Sequence, residues 1–227
     1  MSRIDLIATV AAEAADCPRC DLAQTRTHVV FGEGNPESPM MLIGEGPGEN
    51  EDATGRPFVG RAGALLDQAL HANQIARKHV YITNIVKCRP TLVEGARVKN
   101  RPPRVPEVEA CKPWLLRQIE IIQPLVIVCI GGPSANLLIH AGFRMTAERG
   151  QWFESPYCRA ITAVLHPAYV LRQEGAAYEH SYGLLVQDLG AARRKVIELK
   201  RVGTPPPAAP VPEPEPDPEP TQPALFE

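Results

Sequence analysis

Four cysteines have the residue type and spacing of a metal-binding set. Cys17 and Cys20 form a C-x-x-C pair, Cys88 follows a predicted strand, and Cys111 falls in a predicted helix. Thiolates are soft ligands that suit either zinc or an iron–sulfur cluster. A zinc ribbon normally carries two C-x-x-C pairs, so one pair with two single cysteines favours a cluster. The alternative is that Cys88 and Cys111 are simply buried thiols.

A glycine-rich stretch from Met40 to Gly63 could approach a ligand closely. It begins with an apolar run and continues as Gly44-Glu45-Gly46-Pro47-Gly48. Such a turn between a strand and a helix lets the backbone reach a ligand, because no Cβ atom intervenes. The stretch is neither a G-x-G-x-x-G motif nor a P-loop, so an ordinary strand–helix turn is the alternative.

Polar side chains follow or end three of the predicted strands. Glu45 comes after the first strand, Asn84 ends the second, and His166 comes after the fourth. In open α/β sheets the ligand lies at the carboxyl ends of the strands. The three residues therefore predict a site at that edge.

These residues need a framework in which strands and helices alternate. Short apolar runs predict the strands, and segments with one apolar stripe predict the helices. The alternation predicts an α/β fold of three layers, with a central four-stranded parallel sheet flanked by helices. The predicted strands are 40–44, 80–84, 125–130 and 160–165; the predicted helices are 2–15, 62–72, 106–122, one ending at residue 140, and 182–199; residues 91–104 are predicted to form a loop.

The 227 residues suit one compact domain, residues 1–203, followed by a tail, residues 204–227. The formal charge of −2 is unevenly spread, because the tail holds five acids and no Lys or Arg, which leaves 24 basic and 21 acidic residues in the rest. This mildly basic body permits nucleic-acid binding without requiring it. Neither a signal peptide nor a membrane span is predicted, so we expect a cytoplasmic protein and six reduced cysteines.

Several motifs together resemble the iron–sulfur uracil-DNA glycosylases, usually called family 4. The combination is specific, although no single motif would be, and it covers most of the chain from Cys17 to about Arg194. The motifs are Cys17-Pro18-Arg19-Cys20, Val30-Phe31-Gly32-Glu33-Gly34, Gly44-Glu45-Gly46-Pro47-Gly48-Glu49, Gly55-Arg56-Pro57-Phe58-Val59-Gly60-Arg61-Ala62-Gly63, Tyr81-Ile82-Thr83-Asn84-Ile85-Val86-Lys87-Cys88-Arg89-Pro90 and His166-Pro167-Ala168-Tyr169.

The resemblance implies a base-flipping enzyme that removes uracil from DNA, a monomer acting by hydrolysis without a lyase step. It also implies a [4Fe–4S] cluster held by Cys17, Cys20, Cys88 and Cys111. The alternatives are a protein that binds uracil-containing DNA or DNA ends with little turnover, and a nucleotide-binding protein with structural zinc.

The resemblance assigns roles to the polar strand ends. Phe58 would stack on the flipped uracil, Asn84 would read its amide edge, and His166 would donate to O2 as the base leaves with negative charge. Gly44, Glu45 and Gly46 would line the base pocket.

One position departs from the first family of uracil glycosylases. An Asp there positions the attacking water, and the matching position here is Gly46. Glu45 and Glu51 are the carboxylates left for that role. Either could instead be structural, with Glu45 binding the amides of the turn. A related class traps uracil on a His in the loop after the third cysteine, and no His lies between Pro90 and Cys111, which favours turnover.

Basic and wedge-like residues are candidates for DNA contacts. Arg89 and Arg101 belong to a basic stretch between two cluster ligands, where phosphate contacts are expected. Tyr169, Leu171 and Arg172 follow His166 and could insert beside the flipped base.

The tail has a composition that cannot bury a core. Residues 204–221 are mostly proline with small or acidic residues, which predicts a disordered, extended tether. The chain ends in Gln222-Pro223-Ala224-Leu225-Phe226-Glu227. This ending resembles the short motif that binds the bacterial sliding clamp, in which Gln222 would enter a polar pocket and Leu225 and Phe226 an apolar one.

Overall fold

The computed structural model describes residues 1–95 and 97–203. A five-stranded sheet forms the centre. Its strands are β1 (Glu33–Gly34), β2 (Met40–Gly44), β3 (Tyr81–Asn84), β6 (Val126–Ile130) and β7 (Ala160–Val164), and they lie side by side in the order β1-β3-β2-β6-β7. A separate hairpin contains β4 (Thr91–Glu94) and β5 (Arg97–Asn100). The helices are α1 (Arg3–Ala15), α2 (Glu49–Thr54), α3 (Arg61–Ala72), α4 (Val105–Ile122), α5 (Gly132–Leu138), α6 (Met145–Glu148), α7 (Pro167–Val170) and α8 (Gly175–Arg201).

The four predicted strands form the parallel part of the sheet, so the predicted α/β class is confirmed. β3, β2, β6 and β7 pair in parallel, whereas β1 is an antiparallel edge strand that was not predicted. β1 contains only two residues, too few to show a period of two in the sequence.

Alternate residues of each strand enter two apolar cores. Met41, Ile127 and Ile161 face the core under α1, α4 and α5, whereas Leu42 and Val128 face the core under α3 and α8. Helices therefore cover both faces of the sheet, which is the predicted three-layer arrangement. None of the helices in the described part of the chain is long and apolar enough to cross a bilayer.

Within the stretch predicted as a loop, residues 91–104, strands β4 and β5 form the hairpin, whereas residues 101–104 have no regular structure, as predicted. Thr91 pairs with Asn100 and Val93 with Val98 across the hairpin. Most of its side chains are exposed, so the hairpin lacks the buried alternate residues that would have indicated strands. The tail, with its predicted disorder and the clamp-type residues Gln222, Leu225 and Phe226, lies outside the described residues, as does the predicted boundary at residue 204.

Candidate active site and thiol cluster

The ends of β2 and β3 bring Gly44 and Asn84 together. The two residues are register partners in the parallel pair. Asn84 is 1% exposed, and its Oδ1 atom has no hydrogen-bond partner among the described residues. A buried acceptor without a partner is costly, typically by 1–3 kcal/mol. The Oδ1 atom of Asn84 is therefore available to a donor from outside the described residues.

Phe58 lies against this pair. Its ring is so close that a Cβ atom on Gly44 would be 2.5 Å from Phe58 Cζ. The residue is buried and has a φ of 52°, a left-handed conformation that is rare for a bulky side chain. Its ring centroid lies 6.0 Å from that of His166, with an interplanar angle of 33°. Phe58 thus lies next to His166 on one side and shares the surroundings of Gly44 with Asn84 on the other.

His166 is the N-cap residue of α7 and carries its proton on Nε2. The backbone N–H of Ala168 donates to Nδ1 over 3.1 Å, which assigns Nδ1 as the acceptor and Nε2 as the donor. Burial, with a smaller contribution from the charge of Arg172, lowers the pKa of His166 to about 4. The imidazole is therefore neutral at neutral pH, with one N–H available as a hydrogen-bond donor.

The two candidate carboxylates have different environments. Glu51 accepts hydrogen bonds from the backbone N–H groups of Gly48, Val59 and Gly60, at 3.0, 2.9 and 2.9 Å. Glu45 is half-buried, its side chain makes no hydrogen bond or ion pair within residues 1–95 and 97–203, and burial raises its pKa. In the described residues the turn amides are therefore bound by Glu51 and not by Glu45, which had been the alternative role for Glu45.

Gly46 has little room for a larger residue. A Cβ atom there would lie 2.8 Å from Cγ2 of Val86, a fully buried side chain. An Asp at this position would require Val86 to move, so the absence of a carboxylate at residue 46 agrees with the local packing.

The four candidate cysteines line one small cavity. Cys17 and Cys20 come from the segment after α1, Cys88 from the segment after β3, and Cys111 from α4, and all four border the same space. Within the described residues, no group of three or more His, Cys, Asp or Glu side chains is placed to hold a single metal ion.

The surroundings of these thiols suit an anionic sulfur-bound group. Trp114 Nε1 donates to Cys17 Sγ over 3.2 Å, and the backbone N–H of Lys87 donates to Cys111 Sγ over 3.2 Å. Arg26 donates to Cys88 Sγ over 3.7 Å. Such donors stabilise thiolates and sulfur-ligated clusters.

Burial sets the protonation of the same thiols. It raises the pKa of Cys20 and Cys111, and it raises the pKa of Cys88 to about 11. Three of the four thiols would thus stay protonated at neutral pH unless a metal centre replaced the proton. The shared cavity and the donors to sulfur fit a bound iron–sulfur cluster, whose binding would release the thiol protons.

Two of the side chains predicted to contact DNA make polar contacts within the protein. Arg89 is nearly buried and donates to Asn100 Oδ1 over 2.7 Å, and Arg101 forms an ion pair of 2.5 Å with Glu107. Their contact with phosphates stays a prediction.

The segment after His166 presents its candidate residues differently. Tyr169 and Arg172 are exposed, whereas Leu171 is half-buried against the core under α8. Their insertion into DNA also stays a prediction.

The structure gives two residues roles that the sequence did not indicate: Lys87, which the sequence placed in the basic stretch expected to contact phosphates but which is buried, and Arg77. Buried Lys87 donates from Nζ to the carbonyl of Asn84 over 2.8 Å, and Arg77 donates to the carbonyls of Pro57 and Phe58. Lys87 is adjacent to a ligand cysteine in the sequence, which is the one local signal for it. Arg77 has no such signal, because its partners are 19 and 20 residues away.

Comparisons with known proteins show the family to which the chain belongs. The sequence pattern of the Uracil DNA glycosylase superfamily matches residues 31–190, a range that includes Phe58, Asn84 and His166 but not the C-x-x-C pair. The type-4 uracil-DNA glycosylase of Thermotoga maritima is 42% identical over 172 residues, which are 75% of this chain and 86% of that protein.

Two archaeal proteins are similarly close. The type-4 uracil-DNA glycosylase of Sulfurisphaera tokodaii is 45% identical over 168 residues, 74% of this chain and 68% of its own. That of Archaeoglobus fulgidus is 40% identical over 166 residues, 70% of this chain and 80% of its own. The chain therefore belongs to the uracil-DNA glycosylase superfamily, among its type-4 members.

Proposed function

We propose that this protein is a DNA-repair enzyme that flips uracil out of DNA and hydrolyses its N-glycosidic bond, releasing free uracil and leaving an abasic site. The observation that carries the proposal is that Phe58 lies between Asn84 and His166 in contact distance, with Asn84 and the Phe58 ring both packed against Gly44 and the His166 ring centroid 6.0 Å from that of Phe58. An aromatic face, an amide with a free oxygen and a neutral N–H donor are what a flat, amide-bearing base needs.

Recognition of the base rests on Asn84. Uracil presents an N–H beside a carbonyl on its Watson–Crick edge, and one side-chain amide can accept from the first and donate to the second. The unpartnered Oδ1 of Asn84 supports the acceptor half of this pairing. The ring of Phe58 then forms one wall of the pocket and stacks on the base.

Departure of the base rests on His166. When the glycosidic bond breaks, the uracil leaves with negative charge on its oxygens, and a preorganised donor stabilises that charge most strongly in a water-poor pocket. The neutral ring supplies the Nε2 proton as a hydrogen bond, while the Ala168 amide holds the opposite nitrogen. A neutral donor keeps the pocket free of a charge that would have to be desolvated before uracil binds.

The attacking water is assigned to Glu45. It follows β2 directly, and no described residue binds its carboxylate, which leaves both oxygens for a water molecule. Glu51 is instead a structural anchor, because its carboxylate binds three amides of the glycine-rich segment.

A [4Fe–4S] cluster on Cys17, Cys20, Cys88 and Cys111 is part of the proposal. When bound, such a cluster cross-links three distant segments and thereby contributes to folding. Arg89, Arg101, Tyr169, Leu171 and Arg172 are proposed to contact the DNA around the flipped nucleotide.

The proposal also covers the location of the enzyme and a binding partner for its tail. We propose that the enzyme is a cytoplasmic monomer and that Gln222, Leu225 and Phe226 bind a bacterial sliding clamp, in line with the sequence motif at the end of the tail.

The deciding experiment measures uracil release under single-turnover conditions. The substrate is an oligonucleotide with one uracil, and the control carries thymine at that position. We expect release from the first only, and a rate about 10²-fold lower for His166→Ala, the usual effect of losing one charge-stabilising donor. Tight binding of the uracil oligonucleotide without release would instead identify a binding protein.

A further inference from the structure

The stacking residue Phe58 has a strained backbone. Its φ of 52° lies in the left-handed region, which is unfavourable for a residue with a Cβ atom. Strain of this kind persists only where the surroundings impose it, and it occurs preferentially at ligand-binding positions. Some group near Phe58 must therefore hold the backbone in this conformation.

Arg77 contacts the backbone on both sides of the strained peptide. Its guanidinium donates to the carbonyl of Phe58 over 3.2 Å and to the carbonyl of Pro57. Two carboxylates orient it: Glu33 accepts from Nε over 2.7 Å, and Asp67 accepts from Nη1 over 2.8 Å. A planar guanidinium held by carboxylates can grip two carbonyls at once, which a lysine cannot do.

Helix α3 and Glu51 also contact this segment closely. A Cβ atom on Gly63 of α3 would lie 1.8 Å from the carbonyl oxygen of Phe58. The backbone N–H groups of Val59 and Gly60 are held by Glu51. The segment is thus fixed through its amides by Glu51 and through its carbonyls by Arg77.

The position of Arg77 in the chain links two parts of the pocket. It lies in the short 3-10 helix Arg77–His79, which leads directly into β3, the strand that ends in Asn84. Through Arg77, the stacking ring is therefore attached to the strand that carries the base-reading amide.

We propose that Arg77 is a positioning residue that sets the stacking surface for uracil by holding Phe58 in its left-handed conformation. This inference rests on the proposed function. Without Arg77, the backbone at residue 58 relaxes and the ring leaves the wall of the pocket, although Arg77 itself does not touch the base.

The first test compares Arg77→Met with the wild type. We expect inhibition by free uracil to be about tenfold weaker and kcat/KM to be about tenfold lower, which is the scale of losing one stacked base. Binding of a duplex with an abasic-site analogue, which has no base to stack, should be unchanged. Arg77→Lys retains the charge beside Glu33 and Asp67, so we expect this variant to fold. Its uracil inhibition and its kcat/KM should decrease in the same direction as in Arg77→Met.

A matched control is Arg56→Met. Arg56 forms the other ion pair of Glu33, at 2.8 Å, but its side chain is largely exposed and does not bond to the carbonyls of residues 57 and 58. We expect wild-type uracil inhibition from this variant. An equal loss in Arg56→Met would overturn the proposal, because the charge on Glu33 and not the carbonyl contacts would then be responsible.

A double-mutant comparison separates positioning from a general effect on stability. If Arg77 acts through Phe58, Arg77→Met should cause no further loss in a Phe58→Ala background. Full additivity of the two losses would overturn the inference. A wild-type protein that releases no uracil would instead refute the proposed function, so the two failures are distinguishable.

Discussion

Gly44 and Asn84 lie side by side at the carboxyl ends of β2 and β3, and Asn84 Oδ1 occupies space that a larger residue at position 44 would need. A Cβ atom on Gly44 would be 2.5 Å from this oxygen and 2.5 Å from the ring of Phe58. Neither neighbour can move freely, because both are buried. The glycine is thus required by the close approach of the two side chains that we propose contact the base.

Gly44→Ala should displace Asn84 or Phe58 and slow uracil release by roughly 10²-fold, the scale of a 1 Å misplacement in an active site. Gly183→Ala is the matched control, because a Cβ atom there meets nothing within 4 Å and lies in α8. Single-turnover rates check the prediction. A Gly44→Ala enzyme with the wild-type rate would show that the crowding is harmless.

Glu45 and Glu51 should separate in activity and stability. Glu45→Gln should slow uracil release by roughly 10²-fold, as expected for losing a general base. The same change should not lower the free energy of unfolding, because burial disfavours the charge of Glu45. Glu51→Gln should lower that free energy by about 1–3 kcal/mol through lost amide contacts. The reverse pattern in denaturant unfolding and rate measurements would exchange the two roles.

His166 should make stability depend on pH. Its pKa is about 4 in the folded protein against 6.5 for the free side chain, so the unfolded chain binds more protons between these values. The free energy of unfolding should therefore fall as the pH decreases from 6.5 to 4. In His166→Gln this slope should be smaller, as denaturant titrations at several pH values can measure. An identical slope would remove His166 as its source.

Cys88→Ala and Cys111→Ala should each lose bound iron and lower the free energy of unfolding by about 4 kcal/mol or more, the range for losing a structural metal site. Iron analysis, visible absorption and thermal unfolding are the measurements. Cys158→Ala is the control, because Cys158 is partly buried against the core under α4 and does not border the thiol cavity. Full iron content in the first two variants would refute the cluster assignment.

Deleting residues 222–227 should abolish binding to the sliding clamp and leave uracil release from a free oligonucleotide unchanged. The reason is that the clamp-type residues belong to the tail, whereas the proposed catalytic residues lie between positions 45 and 166. Clamp affinity can be measured by surface binding. A variant with Gln222, Leu225 and Phe226 all changed to Ala keeps the length of the tail and should behave like the deletion. Retained clamp affinity in both would contradict the motif.

The sequence by itself determined the layered α/β fold and the types of residue at the strand ends. Buried runs such as Val126–Ile130 and the striped helix α3 show their period within a short window, since strand and helix geometry repeat locally. The motifs around Phe58, Asn84 and His166 were recognisable for the same reason, because each is contiguous in the chain.

Only the tertiary structure decided how those residues are held. The proton of His166 lies on Nε2 because the Ala168 amide reaches Nδ1, and Glu51 anchors the glycine-rich segment because Val59 and Gly60 fold back onto it. Arg77 reaches Phe58 only after α3 has reversed the chain. Protonation, strain and contact depend on which distant groups share a buried space, and a local sequence pattern contains no such information.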